Sequence, residues 1–288
     1  MVDLSRRGRY RLVALDIDGT VLNSAQQVTA ELKDVLARLS GRGVRTVLCT
    51  GRRWVTAVAV LRQLEHVHAA VVCCGGSLVK RADDEVTLFA VPLRADTARL
   101  AAQLLRTGGL VPMLLYDRPL GAKELKVAAC HRERAERLPY VIANPGSFEW
   151  YPADYPAGDE QPLVVYTVDE GAKVRAAERL VREGLAGRAI VEVMLQPRYG
   201  SDQVAVEVHD PSATKWHGLA WLLGQWAIGA EEVVAIGDDV NDIPMLKAAG
   251  LSFAMGNASD PVKAAAHAVT AGNDEHGVVQ ALSAVFGL

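Results

Sequence analysis

Two aspartates stand one residue apart near the start of the chain, directly behind an apolar run. The run Leu12–Leu15 leads into the sequence DIDGT, which contains Asp16, Asp18 and Thr20. Like charges this close repel each other, so either both carboxylates lie in water or a positive charge is held between them. In an extended chain, residues i and i+2 point to the same side, so Asp16 and Asp18 would share one crevice while Ile17 enters the core.

Two more polar clusters follow apolar runs that are typical of buried strands, and a lysine opens a predicted helix between them. One cluster comes after VRTVLC and the other after EVVAIG. Open α/β sheets bind ligands at the carboxyl ends of their parallel strands. If the three strands are neighbours, carboxylates, a hydroxyl, an amide and a guanidinium converge on one crevice. The residues concerned are Thr50, Gly51, Arg52, Lys215, Asp238, Asp239, Asn241 and Asp242.

An oxygen-rich set of this kind favours a divalent cation, and a set without histidine or cysteine favours Mg²⁺ over zinc. Mg²⁺ keeps several waters and pairs readily with a substrate phosphate. Thr50, the backbone N–H groups of the glycine-containing turns and Lys215 would then hydrogen-bond that phosphate. A calcium loop is rejected, because Val21 stands where that loop needs glycine and Gln27 where it needs glutamate.

Each of these signals has a purely structural explanation when it stands alone. An aspartate at a strand end is usually a turn former or a helix cap, and Thr50 could cap the next helix. A single lysine such as Lys215 is usually at the surface. Arg52 could contact a substrate or pair with a surface group. The order of the clusters, each at a strand end or a helix start, favours the functional interpretation.

Alternating strands and helices must position these clusters. The chain begins strand–helix–strand–helix–strand, with RLVALD, VRTVLCT and AAVVCC as strands and TAELKDVLARLSGRG and RRWVTAVAVLRQL as helices. Short connections of this kind predict a parallel sheet with right-handed crossovers. The same alternation returns near the end of the chain. The predicted fold class is therefore α/β, a doubly wound and mainly parallel sheet formed by residues 1–90 and 201–288.

Residues 91–200 show a different pattern of apolar and polar residues and are predicted to form an inserted α+β domain. Two helical patterns, ADTARLAAQLLRTGG and DEGAKVRAAERLVREG, alternate with the strand-like runs LVPMLLY, PLVVYTV and AIVEVML. The stretch NPGSFEWYPADYPAGDEQP predicts an extended loop. Its aromatic residues Trp150, Tyr151 and Tyr155 either contact a substrate or form a hydrophobic surface flap.

The overall composition excludes several classes of protein. The 288 residues carry a formal net charge of −3, which gives no electrostatic footprint for nucleic acid or an anionic membrane. The apolar runs are too short for a signal peptide or a membrane span, which predicts a cytoplasmic protein. Three of the four cysteines lie in apolar runs and are interpreted as small buried residues in a reducing compartment. The histidines His66, His68, His131 and His209 show no ligand spacing and are interpreted as surface or hydrogen-bonded polar residues.

Taken in order, the motifs resemble those of a known family. DIDGT, TGR, Lys215 and GDDVND resemble the motifs of the haloacid dehalogenase superfamily. The insert and the tail MLKAAGLSFAMGNASDPVKAAAHAVTAGNDEHGV are similar to the Cof-type branch, which carries a C2-type cap domain. Two positions depart from the family pattern: Cys74-Gly75-Gly76 replaces Asn-Gly-Ala, and Trp216 follows the lysine where glycine is common. Both departures are expected to reshape the wall of the pocket.

The resemblance implies a role for each aspartate of the first and last motifs. Asp16 would attack phosphorus as the nucleophile, and Asp18 would act first as general acid and then as general base. Mg²⁺ would be held by Asp16, by the backbone carbonyl of Asp18 and by Asp238. The spacing of the carboxylates would thus serve both metal binding and proton transfer.

Other residues would hold the phosphate or support the groups that do. The resemblance implies that Thr50, the Gly51 N–H and Lys215 hold the transferring oxygens. Thr20 would orient Asp18.

The resemblance implies less specific roles for the remaining polar residues. Asn241 would orient Lys215 or touch the phosphate, and Asp242 would support the residues that bind metal and substrate. Asp239 either contributes to the site or only caps the following helix. Arg52 is assigned to substrate binding.

The implied function is a Mg²⁺-dependent phosphatase for a small phosphorylated metabolite, such as a sugar phosphate, with an aspartyl-phosphate intermediate. A hexose-phosphate phosphomutase with a similar cap and a non-catalytic protein that binds phosphorylated ligands remain the alternatives. The expected partner is the small phosphorylated metabolite, without nucleic acid or membrane, and the chain is expected to be a monomer or a homodimer.

Overall fold

Strands and helices alternate through most of the chain, as the apolar patterns predict. The structure is a computed structural model that describes residues 9–64, 70–152 and 159–288. The strands, numbered in chain order, are β1 (Leu12–Leu15), β2 (Arg45–Cys49), β3 (Ala70–Cys73), β4 (Leu78–Arg81), β5 (Thr87–Ala90), β6 (Met113–Leu115), β7 (Leu125–Ala128), β8 (Phe148–Tyr151), β9 (Val164–Glu170), β10 (Ile190–Leu195), β11 (Gln203–His209), β12 (Val233–Gly237), β13 (Leu251–Ala254) and β14 (Ala268–Val269). The helices are α1 (Ala30–Gly41), α2 (Trp54–Leu61), α3 (Ala95–Thr107), α4 (Arg132–Ala135), α5 (Pro139–Ala143), α6 (Gly171–Gly184), α7 (Lys215–Trp226), α8 (Ile243–Ala248), α9 (Asp260–Ala265) and α10 (Gly277–Phe286).

The contacts divide the chain into two units. The core unit contains the described residues up to Phe89 together with Thr214–Leu288, and the cap unit contains those of Ala90–Ala213. The insert predicted from the sequence ends at residue 200, and this boundary is wrong because the cap unit extends to Ala213. Strand β11 pairs with β9 and β10 in the cap unit, so the chain returns to the core unit only after that strand. The sequence QVAVEVH alternates apolar and polar residues, which is the signal of a strand with two different faces.

The sheet of the core unit has the strand order β14-β13-β12-β1-β2-β3-β4-β5. All neighbours from β14 to β3 are parallel, and β4 runs antiparallel to β3. Strand β1 lies between β12 and β2, with Leu12 opposite both Val233 and Arg45. The predicted α/β class is confirmed, and the three strands that precede the polar clusters are direct neighbours.

Apolar side chains bury most of the central strands of this sheet. Every residue of β1 and β3 is buried, which explains why their sequences are continuous apolar runs rather than alternating ones. Helix α7 adds Leu219, Leu222 and Leu223 to the core cluster that packs on β1, β2 and β12. The polar residues that follow these strands are therefore attached to strands that lie in a buried apolar core.

The cap unit has its own sheet, with the strand order β10-β11-β9-β6-β7-β8. Helices α3 and α6 pack on the face that carries Val204, Val206 and Val208 of β11. Both helices were predicted, whereas β7 and β8 were not. Strand β8 lies inside the stretch predicted as an extended loop, and it holds Trp150 and Tyr151, because its sequence FEWY favours β structure despite the flanking glycine and proline residues.

The cysteines agree with the predictions from composition. Cys49, Cys73 and Cys74 are buried, and Cys130 is exposed. Within the described ranges, none of the helices combines the length and apolar character needed to cross a membrane. His66, His68 and Tyr155, which the sequence analysis singled out, lie outside the described residues.

Candidate active site

The carboxyl ends of β12, β1 and β2 bring the predicted site residues to one edge of the core sheet. Beyond the last residue of β1, the Asp16 N–H still donates to the carbonyl of Ile236, at 3.0 Å. Beyond β2, the Thr50 N–H donates to the carbonyl of Val72, at 2.8 Å. Asp16 and Thr50 are therefore fixed by the same backbone ladder that forms the sheet, and both are buried.

Lys215 connects the site residues from opposite ends of the chain. Its Nζ donates to Asp16 Oδ1 at 2.6 Å and to Asp242 Oδ1 at 2.7 Å. All three side chains are almost fully buried. Lys215 is the first residue of α7, and Thr214 caps this helix by accepting a hydrogen bond from the His217 N–H at 3.1 Å. The predicted placement of this lysine in the crevice is confirmed.

A glycine after β3 allows the chain before Lys215 to come close. Gly76 has a φ of +107°, and a Cβ built there would lie 1.9 Å from the Thr214 carbonyl oxygen. Only glycine fits both the conformation and the space. The same turn is tied to the TGR turn, because Gly75 N–H donates to the Thr50 carbonyl and Cys74 N–H donates to the Arg52 carbonyl. The departure from Asn-Gly-Ala thus concerns a turn that positions both Thr50 and Lys215.

Asp242 anchors the last motif as well as the lysine. Its Oδ2 accepts hydrogen bonds from the N–H groups of Asp238 and Asp239, both at 3.0 Å. A Cβ on Gly237 would lie 2.5 Å from this carboxylate, so the glycine is needed for the close approach. Asp239 is exposed, and its Oδ1 accepts from the Val240 N–H at 2.7 Å at the start of a short 3₁₀ turn. Of its two proposed roles, Asp239 has the capping one.

Two side chains donate hydrogen bonds to Asp238, and one of them, Thr20, is predicted from the sequence to orient Asp18. Thr20 Oγ1 donates to Asp238 Oδ1 at 3.0 Å, so the prediction that Thr20 orients Asp18 is wrong. Asn257 Nδ2 donates to Asp238 Oδ2 at 3.2 Å and to the Gly19 carbonyl at 3.0 Å. Asn257 is a site residue that the sequence motifs did not identify. Its position in the loop after β13, the next strand of the sheet, is the signal that could have identified it.

Asp18 lies outside the buried cluster. Arg52 binds it in a bidentate ion pair, with Nε 2.7 Å from Oδ2 and Nη2 2.5 Å from Oδ1, and 53% of the Asp18 side chain is exposed. Arg52 Nη2 also donates to Gln26 Oε1 at 3.0 Å. β1 ends at Leu15 and the chain turns at Ile17. Burial raises the pKa of Asp16, and the charge of Asp18 adds to this effect, so the two carboxylates remain within electrostatic reach of each other.

Thr50 begins the TGR turn, and Asn241 lies beside this turn. Thr50 Oγ1 accepts a hydrogen bond from the Arg52 N–H at 3.1 Å, and a Cβ on Gly51 would lie 3.9 Å from Asn241 Nδ2. Lys215 is oriented by the two carboxylates described above, so the alternative in which Asn241 orients it is wrong. Within the described ranges, the buried Oδ1 of Asn241 has no hydrogen-bond partner. An amide in this state is suited to binding a polar ligand.

Negative charge exceeds positive charge in the buried cluster. A ligand atom from each of Asp16, Asp238 and Asp242 lies within 4.8 Å of the other two, around the single ammonium group of Lys215. Burial, reinforced by Asp242, raises the pKa of Asp238 to about 7. Burial disfavours the charged form of Lys215, but Asp16 and Asp242 outweigh it and raise the pKa of the lysine. An all-oxygen set with excess negative charge fits a hard divalent cation such as Mg²⁺.

Comparison with known proteins agrees with this geometry. A family model described as haloacid dehalogenase-like hydrolase matches residues 13–136 and 174–282. The chain belongs to the haloacid dehalogenase-like hydrolase family. Within the family it is a Cof-type member, with its cap unit inserted between the second and third motifs.

Relatives of this hydrolase match it over almost their whole length. Phosphatase YwpJ of Bacillus subtilis is 27% identical over 93% of this chain and 97% of its own. Pyridoxal phosphate phosphatase YbhA of Escherichia coli is 24% identical over 94% and 96%. A crystal structure of a haloacid dehalogenase-like hydrolase from Bacteroides thetaiotaomicron is 25% identical, covers 96% of this chain and all of its own, and has a TM-score of 0.76. The chain is an enzyme of the hydrolase class, and the named relatives point to phosphoric monoesters as its substrates.

Proposed function

We propose that this hydrolase is a Mg²⁺-dependent phosphatase that cleaves a small phosphorylated metabolite through a phosphorylated Asp16. The observation that carries the proposal is the buried contact of Lys215 with Asp16, next to Asp238, at the carboxyl edge of the sheet. A carboxylate fixed by a lysine and surrounded by phosphate-binding groups is suited to attack phosphorus.

Asp16 acts as the nucleophile in the first half of the reaction. Lys215 donates to its Oδ1, which leaves Oδ2 to attack. A bond forms between Oδ2 and phosphorus while the bond from phosphorus to the leaving oxygen breaks, and Asp18 gives its proton to that oxygen. Lys215, Thr50 and the Gly51 N–H stabilise the negative charge on the other phosphoryl oxygens.

Water completes the reaction in the second half. A water molecule attacks phosphorus and loses a proton to Asp18, while the bond from phosphorus to Asp16 Oδ2 breaks. Inorganic phosphate leaves, Asp16 is again a carboxylate, and Asp18 is again protonated. Each proton that Asp18 gives is thus recovered within one turnover.

The ion pair between Asp18 and Arg52 must open before this proton transfer. A general acid carries a proton, and a carboxylate in a bidentate pair with a guanidinium carries none. The dianionic phosphate of a substrate offers Arg52 a competing partner. Arg52 would then contact the substrate, as the sequence suggested, in exchange for the partner it has in the structure.

The acidic cluster also fits the metal that the family implies. Asp16 and Asp238 would hold Mg²⁺ together with the Asp18 carbonyl. Asp242 is less suited as a ligand, because it accepts from three donors, namely Lys215 and two backbone N–H groups. When bound, the ion supplies positive charge that reduces repulsion between the carboxylate nucleophile and the phosphate. Thr20 and Asn257 fix the two oxygens of Asp238 for this purpose.

A panel of phosphorylated metabolites tests the proposed reaction. With Mg²⁺ and without a bisphosphate activator, we expect inorganic phosphate to be released from at least one monoester, and a metal chelator should abolish this release. Phosphate-group migration that depends on a bisphosphate would instead identify a phosphomutase. Binding without any turnover, including turnover of p-nitrophenyl phosphate, would identify a ligand-binding protein.

The variant Asp16→Asn tests the nucleophile. An amide does not form the acyl phosphate, so kcat should fall by at least about 10³-fold, while the circular dichroism spectrum stays that of the parent. Asp239→Asn is the matched control, because this exposed residue only caps the turn. Substantial turnover by Asp16→Asn would exclude Asp16 as the nucleophile.

A further inference from the structure

A second group of potential metal ligands lies in the cap unit. Glu192 of β10 stands directly opposite Glu207 of β11, and His209 follows two residues later on the same strand. His209 is a hydrogen-bonded polar residue, as the sequence predicts, with Glu207 Oε2 at 3.2 Å from its Nε2. Its second acidic neighbour, Glu192, comes from the adjacent strand, which sequence spacing does not reveal. All three side chains share the sheet face opposite the one that carries Val206 and Val208, which pack under the helices.

The three side chains converge closely enough to bind one ion. His209 Nε2 lies 3.2 Å from Glu207 Oε2 and 3.9 Å from Glu192 Oε2. A ligand atom from each residue lies within 4.8 Å of the other two. Ligands at about 2 Å from a common Zn²⁺ ion stand roughly 3–4 Å apart in tetrahedral geometry, so small side-chain shifts are sufficient.

The negative charges of Glu192 and Glu207 also favour the binding of a cation at this position. Like charges directly opposite each other on neighbouring strands are destabilising, and burial increases their repulsion. The His209 side chain is 1% exposed, and those of Glu192 and Glu207 are 25% and 18% exposed. Burial disfavours the charged imidazole, but the two glutamates outweigh it and raise the pKa of His209. One proton on His209 compensates one glutamate, whereas a divalent cation with neutral His209 compensates both.

We propose that Glu192, Glu207 and His209 bind a divalent transition-metal ion, such as Zn²⁺, in the cap unit. The set contains an imidazole nitrogen, which separates it from the all-oxygen cluster of the active site and favours zinc over magnesium. Because β10 is the edge strand of the cap sheet, the ion would clamp this edge to β11. The proposal does not depend on the proposed phosphatase activity.

Equilibrium dialysis of the full chain against Zn²⁺ tests the site. The protein is first stripped of metal, and excess Mg²⁺ is included to compete at the active site. We expect about one Zn²⁺ per chain, a loss of at least tenfold in affinity in His209→Gln and Glu207→Gln, and a rise in Tm with Zn²⁺ that both variants lack. Two variants are used so that poor folding of one leaves the other informative.

Two controls locate the ion. His131→Gln makes the same substitution at a cap-unit histidine outside the cluster and should bind Zn²⁺ like the parent. Asp238→Asn alters the active-site cluster and should also keep the Zn²⁺ ion. Failure of the parent protein to bind Zn²⁺, equal binding by the parent and the two cluster variants, or loss of the ion in Asp238→Asn would each overturn the proposal.

Discussion

At the scale of single residues, Asp242 determines where the groups of the last motif lie. One of its oxygens accepts from Lys215 and the other from two backbone N–H groups of the motif itself. These hydrogen bonds satisfy both oxygens of a fully buried side chain. The orientation of the lysine and the shape of the turn that carries Asp238 therefore depend on the same side chain.

Asp242→Asn should lower both the free energy of unfolding and kcat. The substitution leaves Lys215 with one carboxylate and points an amide N–H₂ at one of the existing donors. Breaking a buried ion pair on one side typically costs about 3–5 kcal/mol, so we expect a loss near 3 kcal/mol in urea unfolding and at least a tenfold drop in kcat. Asp239→Asn, in the same motif but exposed, should cost less than about 1 kcal/mol. Equal effects of the two variants would contradict the anchoring role of Asp242.

Thr20→Val tests the contact with Asp238 at nearly constant volume. The lost hydroxyl donates to a carboxylate that we propose as a metal ligand, and hydrogen bonds to charged groups contribute about 1.5–3 kcal/mol. We expect the Mg²⁺ concentration for half-maximal activity to rise by about tenfold, with a smaller change in kcat at saturating Mg²⁺. Thr56→Val, which removes a hydroxyl that donates to a helix carbonyl, should leave the Mg²⁺ dependence unchanged. An unchanged Mg²⁺ dependence in Thr20→Val would separate Asp238 from the metal.

At the scale of elements, the turn after β3 sets the position of α7. Gly76 packs against the backbone just before Lys215, and the N-terminal cap of α7 fixes the start of the helix. A helix has little freedom to slide once its first turn is hydrogen-bonded. The place of the lysine is therefore decided by two neighbouring main-chain segments and not by the lysine itself.

Gly76→Ala should be far more harmful than an alanine at another glycine with positive φ. Gly43 has a φ of +76°, and a Cβ there has nothing within 4 Å, so Gly43→Ala should cost only about 1 kcal/mol of backbone strain. At Gly76 the new Cβ collides with the Thr214 carbonyl, and we expect a loss of more than about 3 kcal/mol together with reduced activity. Thermal unfolding and kcat of the two variants compare the effects, and similar losses would show that the close approach is unimportant.

At the scale of the whole molecule, each unit carries polar clusters of its own. Asp16, Lys215 and Asp242 form one in the core unit, and the cap unit has another around Glu160. Glu160 accepts hydrogen bonds from Lys126 at 2.9 Å and from Tyr116 at 2.8 Å. Burial alone would raise the pKa of Glu160, but these two hydrogen bonds outweigh burial and lower it.

Glu160→Gln should therefore reduce stability in a pH-dependent way. Because the pKa of Glu160 is lower in the folded than in the unfolded chain, its contribution is complete above the unfolded value of about 4.5 and is lost as the pH falls through the folded value. We expect a loss of about 1–2 kcal/mol at pH 7 that shrinks below pH ~4. Glu136→Gln, which breaks an exposed helical pair with Arg132, should show a loss below about 0.5 kcal/mol. A pH-independent loss in Glu160→Gln would contradict the ion-pair account.

The sequence by itself determined the α/β class, the three strand ends that carry polar clusters, and the entry of Lys215 into the crevice. These features follow from local signals, because buried parallel strands are continuous apolar runs and their carboxyl ends share one edge of the sheet. Family resemblance then supplied roles for the residues at that edge.

Only the tertiary structure decided which partner each polar side chain takes. Thr20 binds Asp238 instead of Asp18, Arg52 holds Asp18, and Asn257 joins the site from the next strand. The same holds for His209, whose neighbour Glu192 comes from a different strand. Hydrogen-bond partners are set by distances of about 3 Å between segments far apart in the chain, and such distances depend on packing and turn geometry, which sequence spacing does not specify.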